Sequence, residues 1–249
     1  MVFQDVKAKL LSLFDSKKLD GKMGIEWGFF NEVDKDIKKI GYSTNLTPET
    51  INEAVKNNVD LIVTHHDAWF FVFGMKEKCL LLLKENNIGH AFFHIPLDDA
   101  DFGTSSSLAN ALNLKNNYKS IPYEEIYYAG VIGELENPIE FEQLTKDLST
   151  ILEEPIKAFK NNNNPVSKIC VVTGAGNMSN DIKVAVDDNC DTYITGEYSL
   201  YSQQYAKFAG INLLVGSHTN TEILGVSQMV NRLIENTDIE VVKLTEENY

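Results

Sequence analysis

The sequence lacks the features that mark disulfide-stabilised, zinc-ribbon and membrane-spanning proteins. Its 249 residues contain three cysteines, which are widely spaced and form no CxxC pair. We therefore interpret Cys79, Cys170 and Cys190 as reduced core residues of an intracellular protein. The longest apolar run, residues 68–75, is far shorter than the ~18 residues that a membrane-spanning helix needs. No membrane association is expected.

Basic charge is also scarce. The formal net charge of −14 opposes a phosphate backbone, so the sequence does not predict non-specific nucleic-acid binding. A small anionic substrate held by a metal ion is still compatible with an acidic chain. The first residues, MVFQDVK, do not have the basic flank and apolar stretch of a secretory signal, and we expect a cytoplasmic protein.

Short apolar strands alternate with amphipathic segments of helix length, which predicts an α/β fold with parallel crossovers. In the first half we expect strands at residues 39–44, 61–64 and 89–94, and helices at about 48–58, 76–86 and 105–112. In the second half we expect strands at 168–173, 192–195 and 211–215, with a helix after each. A strand at 127–135, a helix at 140–152 and a strand at 156–159 are assigned to the second half. The predicted halves are residues 1–120 and 121–249.

The two halves contain a matching segment. Residues 51–64 and 182–195 align without a gap and are identical at six of fourteen positions. Either the halves are an internal repeat, or the match is a coincidence, since similar residues recur wherever a helix leads into a strand.

Polar side chains follow the predicted strands in both halves. His65 and His66 come directly after one strand of the matched segment, and Glu197 follows the other. The next strand in each half leads to a histidine with a carboxylate four residues later, at His94 and Asp98 and at His218 and Glu222. Ligands of open α/β sheets bind at the carboxyl ends of the strands, so we expect a site there.

Imidazole and carboxylate ligands together suit Zn, Mn, Fe, Co or Ni, whereas an all-oxygen set would indicate Ca or Mg. Three histidines and two carboxylates exceed one tetrahedral zinc shell but fit two ions ~3.5–4 Å apart. The sequence therefore predicts a two-metal site with the following ligands: His65, His66, Asp98, His218 and Glu222.

Several of these residues have an alternative interpretation. Neighbouring side chains of a continuing strand point to opposite faces, so one of His65 and His66 could be a core residue. Because Pro96 disfavours helical geometry at the preceding residue, we expect strand and then loop after His94, which could itself orient a ligand. Thr219 with Glu222 three residues later fits a capping box that would occupy the carboxylate.

Two further segments are open to more than one interpretation. The glycines at 174 and 176 follow a predicted strand and form either a phosphate-binding turn or a plain tight turn. The aromatic run at residues 69–73 is either a core segment or a lid or subunit interface beside the metals.

These motifs, in this order, resemble the NIF3-like family, also labelled GTP cyclohydrolase 1 type 2 homologues. The segments that carry the resemblance are DLIVTHH at 60–66, HIPLD at 94–98, TGE at 195–197 and GSHTNTE at 216–222. One departure is Asp67, where the family usually has proline. The chain is also too short for the inserted middle domain of longer members.

The resemblance implies a NIF3-like α/β fold of two related halves packed around a metal site in a cleft. It implies a dinuclear centre held by the five ligands named above, and a toroidal homohexamer. The implied activity is that of a metal-dependent hydrolase acting on a purine nucleotide such as GTP. As general base we expect Glu197 or His94, because both are polar groups at strand ends near the proposed metals. The alternative is a non-catalytic metal-binding regulatory or scaffold protein that forms a ring.

Overall fold

The β-α-β crossovers predicted in each half form, with two in one sheet and two in the other. The structure is a computed structural model that describes residues 1–124 and 126–247. Two compact units are present: unit 1 contains residues 1–100 and 226–247, and unit 2 contains residues 101–225. In chain order the elements are α1 (Phe3–Ser12), α2 (Ser16–Leu19), β1 (Trp27–Phe30), β2 (Lys39–Asn45), α3 (Pro48–Lys56), β3 (Leu61–His66), α4 (Met75–Glu85), β4 (Gly89–Phe93), α5 (Ile95–Asp99), α6 (Thr104–Ala111), β5 (Lys115–Glu124), β6 (Tyr127–Ile139), α7 (Phe141–Leu152), β7 (Lys157–Phe159), β8 (Val166–Val172), α8 (Ser179–Asp187), β9 (Thr192–Thr195), α9 (Leu200–Ala209), β10 (Asn212–Val215), α10 (His218–Ile234) and β11 (Glu240–Lys243).

The sheet of unit 1 has the strand order β1-β4-β3-β2-β11. Strands β4, β3, β2 and β11 are parallel, and β1 is antiparallel to β4. The sheet of unit 2 has the order β5-β6-β8-β9-β10-β7, with β8, β9 and β10 parallel. In each sheet the parallel strands end at the same edge, where the predicted ligands follow them.

Residues matched between segments 51–64 and 182–195 have the same roles in the two units. Asn58 and Asn189 follow helices α3 and α8 with φ of 54° and 59°, the left-handed region that asparagine tolerates. The Asp60 carboxylate accepts from the backbone N–H groups of residues 38 and 39, at 2.9 and 3.0 Å. Asp191 accepts in the same way from residues 167 and 168, at 2.7 and 2.9 Å.

The predicted halves and the compact units have different bounds. Residues 226–247 belong to unit 1, and their strand β11 pairs in parallel with β2, from Glu240 opposite Lys39 to Lys243 opposite Tyr42. The division at residue 120 therefore does not coincide with either unit, and the relation between the halves stays a prediction. The strands and helix predicted between residues 127 and 159 pair or pack within unit 2.

Each unit has its own hydrophobic core between sheet and helices. In unit 1, Ile51 and Ala54 of α3 pack with Ile62 of β3 and Leu83 of α4. In unit 2, helix α7 packs one face against β8, and α8 and α9 contribute to a second cluster. The three cysteines are free and buried, as predicted. Within the described residues, no helix is long and apolar enough to cross a membrane.

A buried histidine links two strands of unit 1. His90 Nε2 on β4 lies 2.8 Å from the Thr64 hydroxyl on β3, which donates to the His66 carbonyl at 2.6 Å. Because the hydroxyl hydrogen is used on that carbonyl, His90 Nε2–H donates to the hydroxyl. Burial, with a smaller contribution from the positive charge of Lys76, lowers the pKa of His90 to about 3.

We expect His90→Leu to reduce the acid sensitivity of the fold. The folded pKa of His90 lies below its ordinary value of 6.5, so its contribution to stability is complete above pH 6.5 and is lost as the pH falls toward 3. The free energy of unfolding of the wild type should fall by about 1 kcal/mol per pH unit more than that of the variant. Urea unfolding with EDTA at pH 7, 6 and 5 measures the difference, and parallel pH profiles would contradict it.

Candidate metal centre

His65 and His66 are the last two residues of β3, and both are buried. The strand continues through both, yet their ring centroids lie only 4.5 Å apart. His65 is held from the β4 side, where its Nδ1 lies 2.9 Å from the Phe93 carbonyl oxygen. His66 is held from the β2 side, where its Nδ1 lies 2.8 Å from Asn45 Oδ1. The two rings therefore do not separate onto opposite faces as strand alternation alone predicts.

These hydrogen bonds fix where each ring carries its hydrogen. A carbonyl oxygen can only accept, so Nδ1 of His65 and of His66 must donate. In the neutral ring the hydrogen is then on Nδ1, and Nε2 has the lone pair that a metal ion can use. Nitrogen atoms of His65, His66 and His94 lie within 4.8 Å of one another.

The segment after His94 differs from its prediction. Instead of strand and then loop, α5 begins at Ile95, with His94 as its N-cap. Pro96 is accommodated because it lies in the first turn, where its missing N–H has no partner within the helix. The turn brings Asp98 back to β3, and its Oδ1 lies 3.4 Å from His65 Nε2.

Glu26 is a site residue that the sequence analysis missed. Its Oε2 lies 2.6 Å from His94 Nδ1, and the His94 backbone N–H donates to its carbonyl at 2.7 Å. The hydrogen bond with His94 lowers the pKa of Glu26 more than burial raises it. The contact arises from the pairing of β1 with β4, in which Trp27 lies opposite Phe93. The sequence signal for Glu26 is its position directly before the edge strand β1, which pairs with the strand that leads to His94.

In unit 2, His218 and Glu222 lie at the start of α10. The alternative interpretation, a capping box with Thr219 as N-cap, does not hold, because the helix begins at His218 and the hydroxyl of Ser217 accepts from the Asn220 N–H at 3.1 Å. Glu222 is therefore the fifth residue of the helix rather than its third. His218 and Glu222 share one face as an i,i+4 pair, with His218 Nε2 3.2 Å from Glu222 Oε1.

Glu197 contacts Nδ1, the other ring nitrogen of His218. Its Oε1 lies 2.7 Å from His218 Nδ1, and its Oε2 accepts from Asn177 Nδ2 at 2.9 Å. Burial lowers the pKa of His218, but the carboxylates of Glu222 and Glu197 outweigh burial and raise it to about 9. The ring environment therefore favours positive charge, as a proton or as a cation at Nε2.

The turn after β8 leaves room for this pair. Gly174 has a φ of +63°, and a Cβ there would lie 2.0 Å from Glu222 Oε1 and 2.9 Å from His218 Nε2. Its N–H donates to the Thr221 hydroxyl at 3.0 Å. That N–H is thus used within the protein, which favours the tight-turn interpretation of these glycines over phosphate binding.

Asp67 and the aromatic run have separate positions. Asp67 lies 2.5 Å from Lys76 Nζ, and burial raises its pKa although Lys76 opposes the rise. The ring of Trp69 lies 5.3 Å from that of His94. The core interpretation is wrong for the rest of the run, because Phe70 is 79% exposed and Phe73 is 95% exposed.

The fold and the two residue sets define an α/β protein with histidine and carboxylate side chains suited to divalent metal ions. In unit 1 these side chains are His65, His66 and Asp98, and in unit 2 they are His218 and Glu222. The family model described as Duf34/NIF3 (NGG1p interacting factor 3) matches residues 11–248. The chain belongs to this family.

Relatives and solved structures agree with this assignment. A GTP cyclohydrolase 1 type 2 homolog of Methanocaldococcus jannaschii is 29% identical over 227 residues, which are 89% of each chain. The structure of reduced HcgD from the same organism has a TM-score of 0.82 at 24% identity, covering 99% of this chain and 98% of that one. Staphylococcus aureus protein SA1388 has a TM-score of 0.81 at 20% identity, covering 99% and 97%. These two structures confirm the NIF3-like α/β fold.

We expect Gly174→Ala to weaken metal binding by at least about tenfold, because the added methyl group displaces Glu222. Gly210→Ala is the matched control, since Gly210 also has a left-handed φ, +72°, but nothing within 4 Å of the added carbon. Both variants should lose about 1 kcal/mol of stability through backbone strain. Calorimetric titration with Zn²⁺ measures the affinities, and equal affinity in the two variants would contradict the prediction.

Proposed function

We propose that the protein is a metal-dependent hydrolase whose centre binds two divalent ions. The ligands would be the five residues found from the sequence: His65, His66, Asp98, His218 and Glu222. The observation that carries the proposal is the hydrogen bonding of the ligand histidines. In each of these three rings Nδ1 faces an oxygen acceptor, which leaves Nε2 for a metal ion.

The side chains fit the proposed ions chemically. Neutral imidazole with carboxylate oxygen suits Zn, Mn, Fe, Co or Ni. Asp98 Oδ1 lies beside Nε2 of His65, and Glu222 Oε1 lies beside Nε2 of His218, so each set offers a nitrogen and an oxygen together. When bound, such a centre supplies Lewis-acid activation of water and of the substrate.

We assign proton transfer to His94. Its ring is partly exposed and close to His65 and His66, and its Nδ1 is held by Glu26. With Nδ1 bonded to a carboxylate, Nε2 is the atom that can take up or release a proton during reaction. Glu197 is the second candidate base, and its contacts with His218 and Asn177 also support a role in orienting the His218 ring.

The substrate we propose is a purine nucleotide such as GTP. Support comes from the printed name of the relatives, GTP cyclohydrolase 1 type 2 homolog. The chain has a net charge of −14, so a phosphorylated substrate needs bound cations to offset repulsion. We further propose that the protein acts in the cytoplasm.

The competing proposal is a non-catalytic metal-binding scaffold that assembles into a ring, with six copies as the expected number. The exposed apolar side chains of residues 70–73 favour this proposal, since exposed apolar clusters commonly bind another protein. Both proposals share the metal site, so metal content and turnover must be measured separately.

Elemental analysis after reconstitution with Zn²⁺ or Mn²⁺ should give about two ions per chain. Asp98→Asn and Glu222→Gln should each lose at least one ion, because each removes a charged ligand oxygen. Asp101→Asn is the control, since the side chain of Asp101 is 92% exposed and pairs with Lys119 on the surface. A wild type that binds no metal after reconstitution would contradict the proposed metal centre.

Turnover distinguishes the hydrolase from the scaffold. The metal-loaded wild type should hydrolyse a member of a panel of nucleotides and phosphoesters, and Asp98→Asn should lower kcat by about 100-fold or more. Asp101→Asn should retain the wild-type rate. Stoichiometric metal without any turnover that depends on Asp98 would favour the scaffold.

A further inference from the structure

The segment after β11 is linked to His66 of unit 1 through one intermediate side chain, that of Asn45. Glu246 Oε1 accepts from the Thr44 N–H at 2.6 Å, and its Oε2 accepts from the Asn45 N–H at 3.0 Å. Oε2 also accepts from Asn45 Nδ2 at 3.0 Å. Burial raises the pKa of Glu246, and these donors oppose the rise. The carboxylate is thus bound at the end of β2.

This contact fixes the orientation of the Asn45 amide. If the amide were reversed, its oxygen would face the Glu246 carboxylate, and two acceptors would lie 3.0 Å apart. With Nδ2 on Glu246, the oxygen of Asn45 must face His66, whose Nδ1 lies 2.8 Å away. That oxygen only accepts, so Nδ1 of His66 carries the hydrogen.

We propose that Glu246 is a positioning residue that selects the Nδ1–H tautomer of His66 through Asn45, and so keeps Nε2 available to a metal ion. The contacts of Glu246 with Thr44 and Asn45, and of Asn45 with His66, all lie within unit 1, whereas the use of this tautomer for metal binding rests on the proposed function. The selection is needed because a neutral ring can carry its hydrogen on either nitrogen, and a hydrogen on Nε2 would occupy the atom that the metal requires.

Glu246→Gln tests the selection. In either orientation the glutamine turns its NH₂ group toward an N–H donor, at Thr44 or at Asn45. When the glutamine NH₂ group faces Asn45, reversal of the Asn45 amide removes the clash between the two NH₂ groups and places Nδ2 against His66, while the conflict with the Asn45 backbone N–H remains. Glu240→Gln is the matched control, because Glu240 lies on β11 with a side chain that is 74% exposed.

Long-range ¹⁵N–¹H NMR of the histidine rings, recorded on metal-free protein, reports the tautomer directly. We expect the Nδ1–H form of His66 in the wild type and in Glu240→Gln, and a shift toward Nε2–H in Glu246→Gln. His66→Asn assigns the signals by their loss. An unchanged Nδ1–H form in Glu246→Gln would overturn the proposal.

The double variant Asn45→Asp with Glu246→Gln separates selection from simple structural support. Its aspartate accepts from the glutamine NH₂ group and from His66, so the Nδ1–H form should return. If the single and double variants lose this form alike, the role of Glu246 is only structural and the proposal fails.

Zn²⁺ titration links the tautomer to metal binding. Glu246→Gln should bind about tenfold more weakly than the wild type, and the double variant should recover much of the loss. If the wild type binds no metal while the tautomer shifts as expected, the proposed function fails and the selection by Glu246 stands.

Discussion

A histidine ring can bind a metal ion only through a nitrogen that has a lone pair, and the hydrogen bond on the other nitrogen decides which one that is. The candidate centre depends on this constraint in both units. The Nδ1 acceptors are the Phe93 carbonyl for His65, Asn45 for His66, Glu26 for His94 and Glu197 for His218. Each ring is thereby oriented by an oxygen that the surrounding fold holds in place.

The parallel sheet of unit 1 supplies two of these acceptors by its register. Asn45 of β2 lies opposite His66 of β3, and Phe92 of β4 lies opposite Thr64 of β3. Both neighbouring strands therefore end beside the histidine pair. The third acceptor, Glu26, directly precedes the antiparallel strand β1. The pairing of β1 with the end of β4 brings Glu26 to His94. Strand pairing therefore determines which nitrogen of each ring carries the hydrogen.

Much of this arrangement could be predicted from the sequence, because strands, helix starts and polar residues at strand ends are local patterns. The matched residues Asp60 and Asp191 are an example, since each binds the backbone near the start of a neighbouring strand. What escaped prediction depends on distant parts of the chain. Glu26 and His94 are 68 residues apart, and Asn45 and Glu246 are 201 apart. No local periodicity encodes pairings at such separations. Ser217 and Thr219 are both good caps, so the sequence alone does not fix where α10 begins.

The groups around the histidine rings differ in charge, and the carboxylates among them favour a bound cation. Unit 1 places two carboxylates on its histidines, Asp98 and Glu26, and unit 2 places two, Glu222 and Glu197. The remaining acceptors, at His65 and His66, are neutral oxygens. The carboxylates of each set offer negative charge that favours a cation beside the histidines. Since net charge is costly to hold in a partly buried site, a carboxylate at Nδ1 of His65 or His66 would add an excess of negative charge. Neutral acceptors on the paired histidines orient both rings without that excess.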